Sequence, residues 1–327
     1  MPSIFEKTDG GSIMKKIVVL DAGTLGDDLS LSPLEAVGTV TVYRVSPPET
    51  VRERIAGADA VILNKVKIGE AQLPQEGAPG IICVAATGFD NIDLEACRRH
   101  GVAVANVRGY SSESVMQVTV GLVLSLITHL PTYCAATADG SYTRGGNANL
   151  LIPAYHEIAG MTWGVVGAGK IGSRVADVAR ALGCRVLTNR RTPDGVSVDL
   201  DTVLRESDVI TVHTPLNDET RGLIGEAEIG RMKDGVILVN MARGAVTDEA
   251  AVARAVESGK IGALGCDVYS VEPFTEAHPY YTIRERENVL LTPHMSWGAY
   301  EARARCLQEM ILNMQAYFAG EKRNRVD

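Results

Sequence analysis

Met161-Thr-Trp-Gly-Val-Val-Gly-Ala-Gly-Lys-Ile-Gly172 is the stretch on which the fold turns. Residues 163–166 are an apolar run that reads as a buried strand. From 171 to 182 apolar residues recur at helical spacing and stop at Gly183, and residues 185–189 read as the next strand. Strand, glycine turn, helix, strand is the setting in which Gly167-x-Gly169-x-x-Gly172 becomes a dinucleotide fingerprint and not an ordinary turn. Gly167 permits the tight turn, Gly169 lets a pyrophosphate close on the backbone, and Gly172 lets helix and strand pack closely. The N–H groups at the helix start, around Lys170 and Ile171, are then available to phosphates.

Outward from this stretch the chain alternates. Before it, strands are predicted at 17–20, 40–43, 60–63, 81–84 and 102–104, with helices at 49–56 and 94–100 between them. Residues 111–131 read as one long helix, and 132–159 lose periodicity. After the fingerprint, strands at 208–213, 236–240, 262–267 and 289–291 alternate with helices at 198–205, 225–232 and 248–258. A last amphipathic helix covers 299–318. This βαβ rhythm predicts an α/β protein of two doubly wound parallel-sheet domains, only the second of which carries the glycine fingerprint.

Size and composition agree. The 327 residues suggest two domains, and 46% hydrophobic with 22% charged residues is ordinary for a globular protein. A net charge of −8 gives no basic footprint for nucleic acid or an anionic membrane, although a local arginine can still bind a small anion. Six scattered cysteines with no C-x-x-C pair read as free thiols in a reducing, cytoplasmic setting. No apolar run reaches 18 residues, so no membrane span is expected. Residues 1–13 read as a loose tail.

In a doubly wound sheet, ligands sit beyond the carboxyl ends of the strands. Those ends here are His213-Thr-Pro215, Met241-Ala242-Arg243-Gly244, Asp267 through Glu272-Pro273, and Thr292-Pro-His294. Singly, an arginine at a strand end is a solvated ion pair, Glu-Pro a turn, and a histidine after proline a core residue. Together they bring an arginine, acids and a histidine to the edge that holds the fingerprint. His100, His129, His156 and His278 read as surface or packing residues, and no spacing suggests a metal site.

These motifs carry a resemblance. Gly167-x-Gly169-x-x-Gly172, Asn240-Met-Ala-Arg243-Gly244, Val271-Glu272-Pro273 and Thr292-Pro-His294 are similar, in order and spacing, to the D-isomer-specific 2-hydroxyacid dehydrogenases, from about Met14 to the end. Leu20-Asp21 with Thr24-Leu25, Asn64-Lys65, Ala86-Thr-Gly88-Phe-Asp-Asn91 and Arg323-Asn324 resemble the glycerate dehydrogenases, or hydroxypyruvate reductases, within it. The resemblance implies a Rossmann nucleotide domain at 108–296 and a flavodoxin-like substrate domain at 14–107 completed by 297–327. It also implies a dimerisation arm at about 111–159, hence a homodimer. Arg243 would hold the carboxylate or carbonyl of a small 2-oxo acid, His294 would act as general acid, and Glu272 would orient its imidazole. Lys65, Ala86, Thr87 and Gly88 would meet the substrate. His213, Pro215, Thr220, Met241, Ala242 and Asp267 would line the cofactor.

The second strand departs from the NAD pattern. It ends in Asn189-Arg190-Arg191, where an acid would hydrogen-bond the ribose 2′-hydroxyl, and Asp194 reads as lying past the ribose. Asparagine and two arginines would accept a 2′-phosphate, which favours NADP(H) over NAD(H). Four Phe and two Trp leave little for an aryl substrate, and no second basic cluster suits a phosphorylated one. Hydroxypyruvate and then glyoxylate are the expected substrates. The competing class is a dinucleotide-sensing scaffold of the same fold, or a dehydrogenase for another 2-hydroxy acid.

Overall fold

The β-branched runs bury both faces, as strands in the middle of a parallel sheet must. In a computed structural model, which describes residues 14–192 and 194–327, they form two all-parallel sheets. The first joins β1 (Lys15–Val19), β2 (Gly38–Val42), β3 (Ala60–Leu63), β4 (Ile81–Val84) and β5 (Ala103–Ala105) in the order β2-β1-β3-β4-β5. The second joins β6 (Thr162–Val166), β7 (Arg185–Asn189), β8 (Val209–Val212), β9 (Val236–Asn240), β10 (Ile261–Cys266) and β11 (Val289–Leu291) in the order β11-β10-β9-β8-β6-β7. Both orders begin 2-1-3, so each sheet has a switch point beside its first strand. The tail expected before Met14 lies outside the described residues.

The chain divides into two compact units, one running to Tyr110 and completed by Tyr300–Asp327, the other Ser111–Ala299. Each crossing falls three residues later than the 107/108 and 296/297 boundaries read from the sequence. In the first unit, the C-terminal segment is stitched to β5: Val104 N–H donates to Asp327 Oδ1 at 2.8 Å. Arg323 donates at 2.8 Å to both Glu309 and Asn313, whose amide in turn donates to the Asn106 carbonyl at 3.0 Å. In the second unit, helix Ser112–Ile127 buries Val115, Leu122, Val123, Leu126 and Ile127 in the core that also holds Trp163 and Val165. Helix Glu249–Ser258 and residues from β8, β9 and β10 share another core.

The helix predicted over 111–131 is two helices. Ser112–Ile127 ends, His129 takes a left-handed backbone at φ 50°, and Leu130–Ala138 restarts at a 68° bend. Pro131 explains the break: it has no N–H to continue the first ladder but suits the first turn of a new helix. Nor is 132–159 wholly irregular, because Leu130–Ala138 extends into it and Ser141–Gly145 adds a helical turn. Among the described residues no single helix is long and apolar enough to cross a membrane.

Candidate active site

The glycine turn has the geometry its spacing requires. Gly167 sits at φ 91°, and a Cβ there would lie 2.6 Å from the Thr214 nitrogen. A Cβ on Gly172 would lie 2.4 Å from the Gly167 carbonyl oxygen, so the helix meets the strand with no room for a side chain. Gly169 differs. It caps helix Lys170–Ala181 in extended backbone, and a Cβ there meets nothing within 4 Å. Close packing at two glycines and open space at the third, at the start of a twelve-residue helix, fit a dinucleotide pyrophosphate. Lys170 is exposed and Ile171 half-buried at that helix start.

The end of β7 is tied to this turn. The Asn189 carbonyl accepts the N–H groups of Gly167 and Ala168 at 3.1 and 3.0 Å, while its amide donates to the Val198 carbonyl at 3.0 Å. Arg190 Nε donates to the Ala168 carbonyl at 2.6 Å, which lays the guanidinium against the glycine turn, and its Nη1 pairs with Asp194 at 3.0 Å. Asp194 also accepts the N–H groups of Val196 and Ser197, and these bonds with Arg190 hold its carboxyl well below the usual range. The acid expected past the ribose is thus the arginine's ion-pair partner. Arg191 is exposed, 3.7 Å from Glu219.

Across the switch point, His213 follows Val212, the last residue of β8. Its ring nitrogens are shut from solvent and have no hydrogen-bond partner among the described residues. Burial lowers its pKa from the usual 6.5 to about 3, so the ring is neutral. Pro215 and Thr220 shape the following loop, the Thr220 hydroxyl donating to the Pro215 carbonyl at 2.6 Å. Met241 and Ala242 are buried at the end of β9, where Met241 N–H bonds the Val212 carbonyl at 3.1 Å.

The third part lies at the ends of β9, β10 and β11. Arg243 is half-buried, with Nη1 donating to the Ala242 carbonyl at 2.8 Å. His294 Nδ1 stands 2.6 Å from Glu272 Oε2, with 19% and 29% of the two side chains exposed, which makes the pair reachable but shielded. His294 holds φ 52°, a left-handed backbone that costs a residue with a Cβ of the order of 1 kcal/mol or more and needs support. The support is Asp267. Fully buried, it accepts the Thr292 hydroxyl at 2.6 Å and the N–H groups of Met295 and Ser296 at 2.9 and 3.0 Å. The Trp297 indole donates to the His294 carbonyl at 3.0 Å.

In the first unit, Lys65 is exposed just beyond β3. Ala86, Thr87 and Gly88 follow β4, where the Thr87 hydroxyl donates to the Val107 carbonyl at 2.8 Å and Asn106 donates to the Thr87 carbonyl at 2.7 Å. Sequence reading missed Tyr269, whose N–H donates to Glu272 Oε1 at 3.0 Å and whose hydroxyl donates to the Thr292 carbonyl at 2.9 Å. One residue thereby joins both strand ends of the histidine–carboxylate pair. Its place two residues past Asp267, before the Glu-Pro, was the available signal. His278, read as surface or packing, is buried among the Tyr269, Phe274 and Tyr280 rings.

Comparison with known proteins follows the same lines. Residues 120–296 match the family model described as "D-isomer specific 2-hydroxyacid dehydrogenase, NAD binding domain". The chain is 34% identical over 314 residues to a glycerate dehydrogenase of Methylorubrum extorquens, covering 96% of this chain and 99% of that one. It is 33% identical over 325 residues to a hydroxypyruvate reductase of Blautia hydrogenotrophica, at 95% and 99% coverage. Among solved structures, D-lactate dehydrogenase from Aquifex aeolicus, complexed with NAD and lactic acid, superposes with a TM-score of 0.79 at 28% identity, over 94% and 96% of the two chains.

Proposed function

Because the chain belongs to the D-isomer-specific 2-hydroxyacid dehydrogenase family, a family of nicotinamide-dependent oxidoreductases, we propose that it reduces a small 2-oxo acid, hydroxypyruvate before glyoxylate, with NADPH preferred over NADH. The observation that carries this reading is the 2.6 Å pair between His294 and Glu272, in the unit that also holds the open glycine turn.

A nicotinamide dinucleotide, when bound, would supply the hydride. Gly167, Gly169 and Gly172, with the N–H groups at Lys170 and Ile171, would hold its pyrophosphate, and the loops at Pro215, Thr220, Met241 and Ala242 would border the remainder. Arg243 offers a planar fork of donors that fixes the carboxylate and carbonyl of the acid in one orientation. Because Nδ1 of His294 faces Glu272, Nε2 is the nitrogen that passes a proton to the developing alkoxide. The Glu272 carboxylate holds the ring in that orientation and balances the charge of the imidazolium. His213, half-buried with its ring nitrogens shut from solvent and the ring neutral, would border the cofactor without taking part in proton transfer. Lys65, Ala86, Thr87 and Gly88 are assigned to the substrate by the resemblance of their loops.

The preference for NADPH rests on Arg190. The Ala168 carbonyl lays its guanidinium against the turn, and Asp194 takes one of its nitrogens. A 2′-phosphate, carrying more charge than one carboxylate, would compete for that arginine. The preference for hydroxypyruvate rests on the small, aromatic-poor composition and on kinship with a glycerate dehydrogenase. A homodimer is supported by the arm, where Leu151, Ile152 and Tyr155 are 70%, 80% and 52% exposed. Five of the six cysteines are buried free thiols, which suits a reducing cytoplasm.

Specificity constants for hydroxypyruvate, glyoxylate, pyruvate, phenylpyruvate and phosphohydroxypyruvate, each with NADPH and NADH, test the assignment. Apolar discrimination is worth only about 1–3 kcal/mol per methylene, so a ranking is expected and not exclusivity. Most efficient reduction of phenylpyruvate or of the phosphorylated acid would overturn it.

A further inference from the structure

Behind the Glu272–His294 pair stands a second acid–histidine pair that the proposed chemistry does not use. Glu249 is the first residue of helix Glu249–Ser258, and its side chain is only 8% exposed. Its Oε2 lies 3.0 Å from His278 Nε2 and accepts the Ser270 hydroxyl, while Oε1 accepts the Ser270 N–H at 2.9 Å. His278 Nδ1 accepts the Tyr280 N–H at 3.1 Å, so Nε2 bears the hydrogen and donates it to the carboxylate. A buried carboxylate is costly unless its oxygens are satisfied. Here three donors and a helix N-terminus satisfy it.

What this carboxylate grips is the backbone at Ser270. One residue earlier, Tyr269 donates its N–H to Glu272 Oε1 and its hydroxyl to the Thr292 carbonyl, two residues before His294. The same turn is pressed onto the residue after Arg243: a Cβ on Gly244 would lie 2.1 Å from the Ser270 nitrogen. The turn 269–272 therefore touches the chain beside Arg243, grips Glu272, and braces the segment leading to His294. Its own anchor on the other side is Glu249.

We propose that Glu249, with His278 and Ser270, is a positioning unit that clamps the turn 269–272 and so sets the Glu272 carboxylate against His294. It rests on reading Glu272 and His294 as the proton-donating pair. Its residues touch neither substrate nor cofactor and act only through Tyr269 and Glu272. In Glu249→Gln the amide oxygen still accepts the Ser270 N–H, but the amide nitrogen cannot accept from Ser270 Oγ or His278 Nε2. The turn is then held by fewer bonds, and Glu272 loses its fixed aim.

The experiment is a double-mutant cycle on the full-length protein, with hydroxypyruvate and NADPH, reading kcat and both KM values for Glu249→Gln, Glu272→Gln and the double variant. Misplacement by 1 Å costs about 100-fold, and a loosened clamp less, so Glu249→Gln is expected to lower kcat about tenfold with the KM for NADPH unchanged. The double variant is expected to match Glu272→Gln alone, because the clamp has nothing left to aim. Multiplying losses would mark Glu249 as an independent structural residue and overturn the proposal, as would a Glu249→Gln variant with wild-type kcat. Ser270→Ala, which keeps the backbone bond and deletes only the hydroxyl, is expected to give a smaller kcat loss with the same non-additivity and serves if Glu249→Gln does not fold. A normal kcat in Glu272→Gln is a different failure: it overturns the proton-donor reading itself, and the clamp with it.

Discussion

The two sheets share a strand order through their first five strands and part company where that order reverses. In the first unit, β1 runs into Asp21, a side chain buried to 5% exposure. Its carboxylate accepts the N–H groups of Asn64 at 2.9 Å, Lys65 at 2.6 Å and Val66 at 3.1 Å, all on the chain leaving β3. In the second unit, β6 runs into Gly167, and the chain leaving β8 passes so close that no side chain fits between. The space beyond, at Gly169, is open. A parallel sheet gathers backbone N–H groups at its switch point and so creates a seat for an anion. One unit fills that seat with its own carboxylate, and the other leaves it open, where the proposed reading puts a phosphate. Similar topology thus leaves an open switch point in the unit whose sequence withholds an acid and supplies glycine.

The largest expected effect separates binding from chemistry inside the second unit. His294→Ala should lower kcat by about 10²–10⁴-fold, the usual contribution of a positioned general acid, while NADPH binds as before. Steady-state rates alongside a fluorescence titration of NADPH check both halves. Near-full turnover would remove His294 from the mechanism.

The switch points themselves come next. Asp21→Asn deletes acceptors for bonds to a charged group, each worth about 1.5–3 kcal/mol. It should destabilise the protein by about that much in urea unfolding and leave NADPH affinity unchanged. The glycines should behave in the opposite sense from one another. Gly167→Ala, at φ 91°, should cost about 1–3 kcal/mol of stability through the backbone alone. Gly169→Ala should stay within about 0.5 kcal/mol yet weaken the dinucleotide, because its Cβ points into the open space where the proposed reading puts the pyrophosphate. Equal stability losses in the two variants would break the comparison.

A smaller effect is expected at Arg190. Its loss should weaken NADPH about tenfold or more, the value of one charge-assisted hydrogen bond, and leave NADH nearly unchanged. Equal changes for both nucleotides would make Arg190 a brace for the turn and nothing else.

The last concerns the residues that leave the two central strands, Asn64 and His213. Asn64 does not titrate. His213 has its pKa lowered from 6.5 to about 3, so below pH 6.5 the unfolded chain binds a proton that the folded one refuses. Its contribution is complete above 6.5 and is lost progressively as pH falls towards 3. His213→Gln should therefore flatten the acid side of the stability profile, and an unchanged profile would mean the ring gains a proton in place.

The second unit's glycine turn was legible because each glycine answers a local demand within six residues: a turn, an approach, a close packing. The strand ends carrying Arg243, Glu272 and His294 were legible because parallel topology fixes which end faces the ligand. The Asp21 seat was not, since it closes over 43 to 45 residues and a lone acid after a strand has no signature. Nor was the Glu249–His278 pair, 29 residues apart, whose members look like a helix-opening acid and a loop histidine. The bend at His129 was hidden by an apolar pattern that runs through it, although Pro131 marked it. At Arg190 composition revealed the charge but not its partner, because Asp194 meets it only through the geometry of the loop.

The most direct test of the central claim is absorbance at 340 nm after mixing the purified protein with NADPH and hydroxypyruvate, with the product analysed. The account predicts steady oxidation of NADPH and one D-glycerate formed per nucleotide consumed. Nucleotide that binds but is not oxidised, with hydroxypyruvate or any other small 2-oxo acid and with NADH in its place, would contradict it and leave a dinucleotide-sensing scaffold.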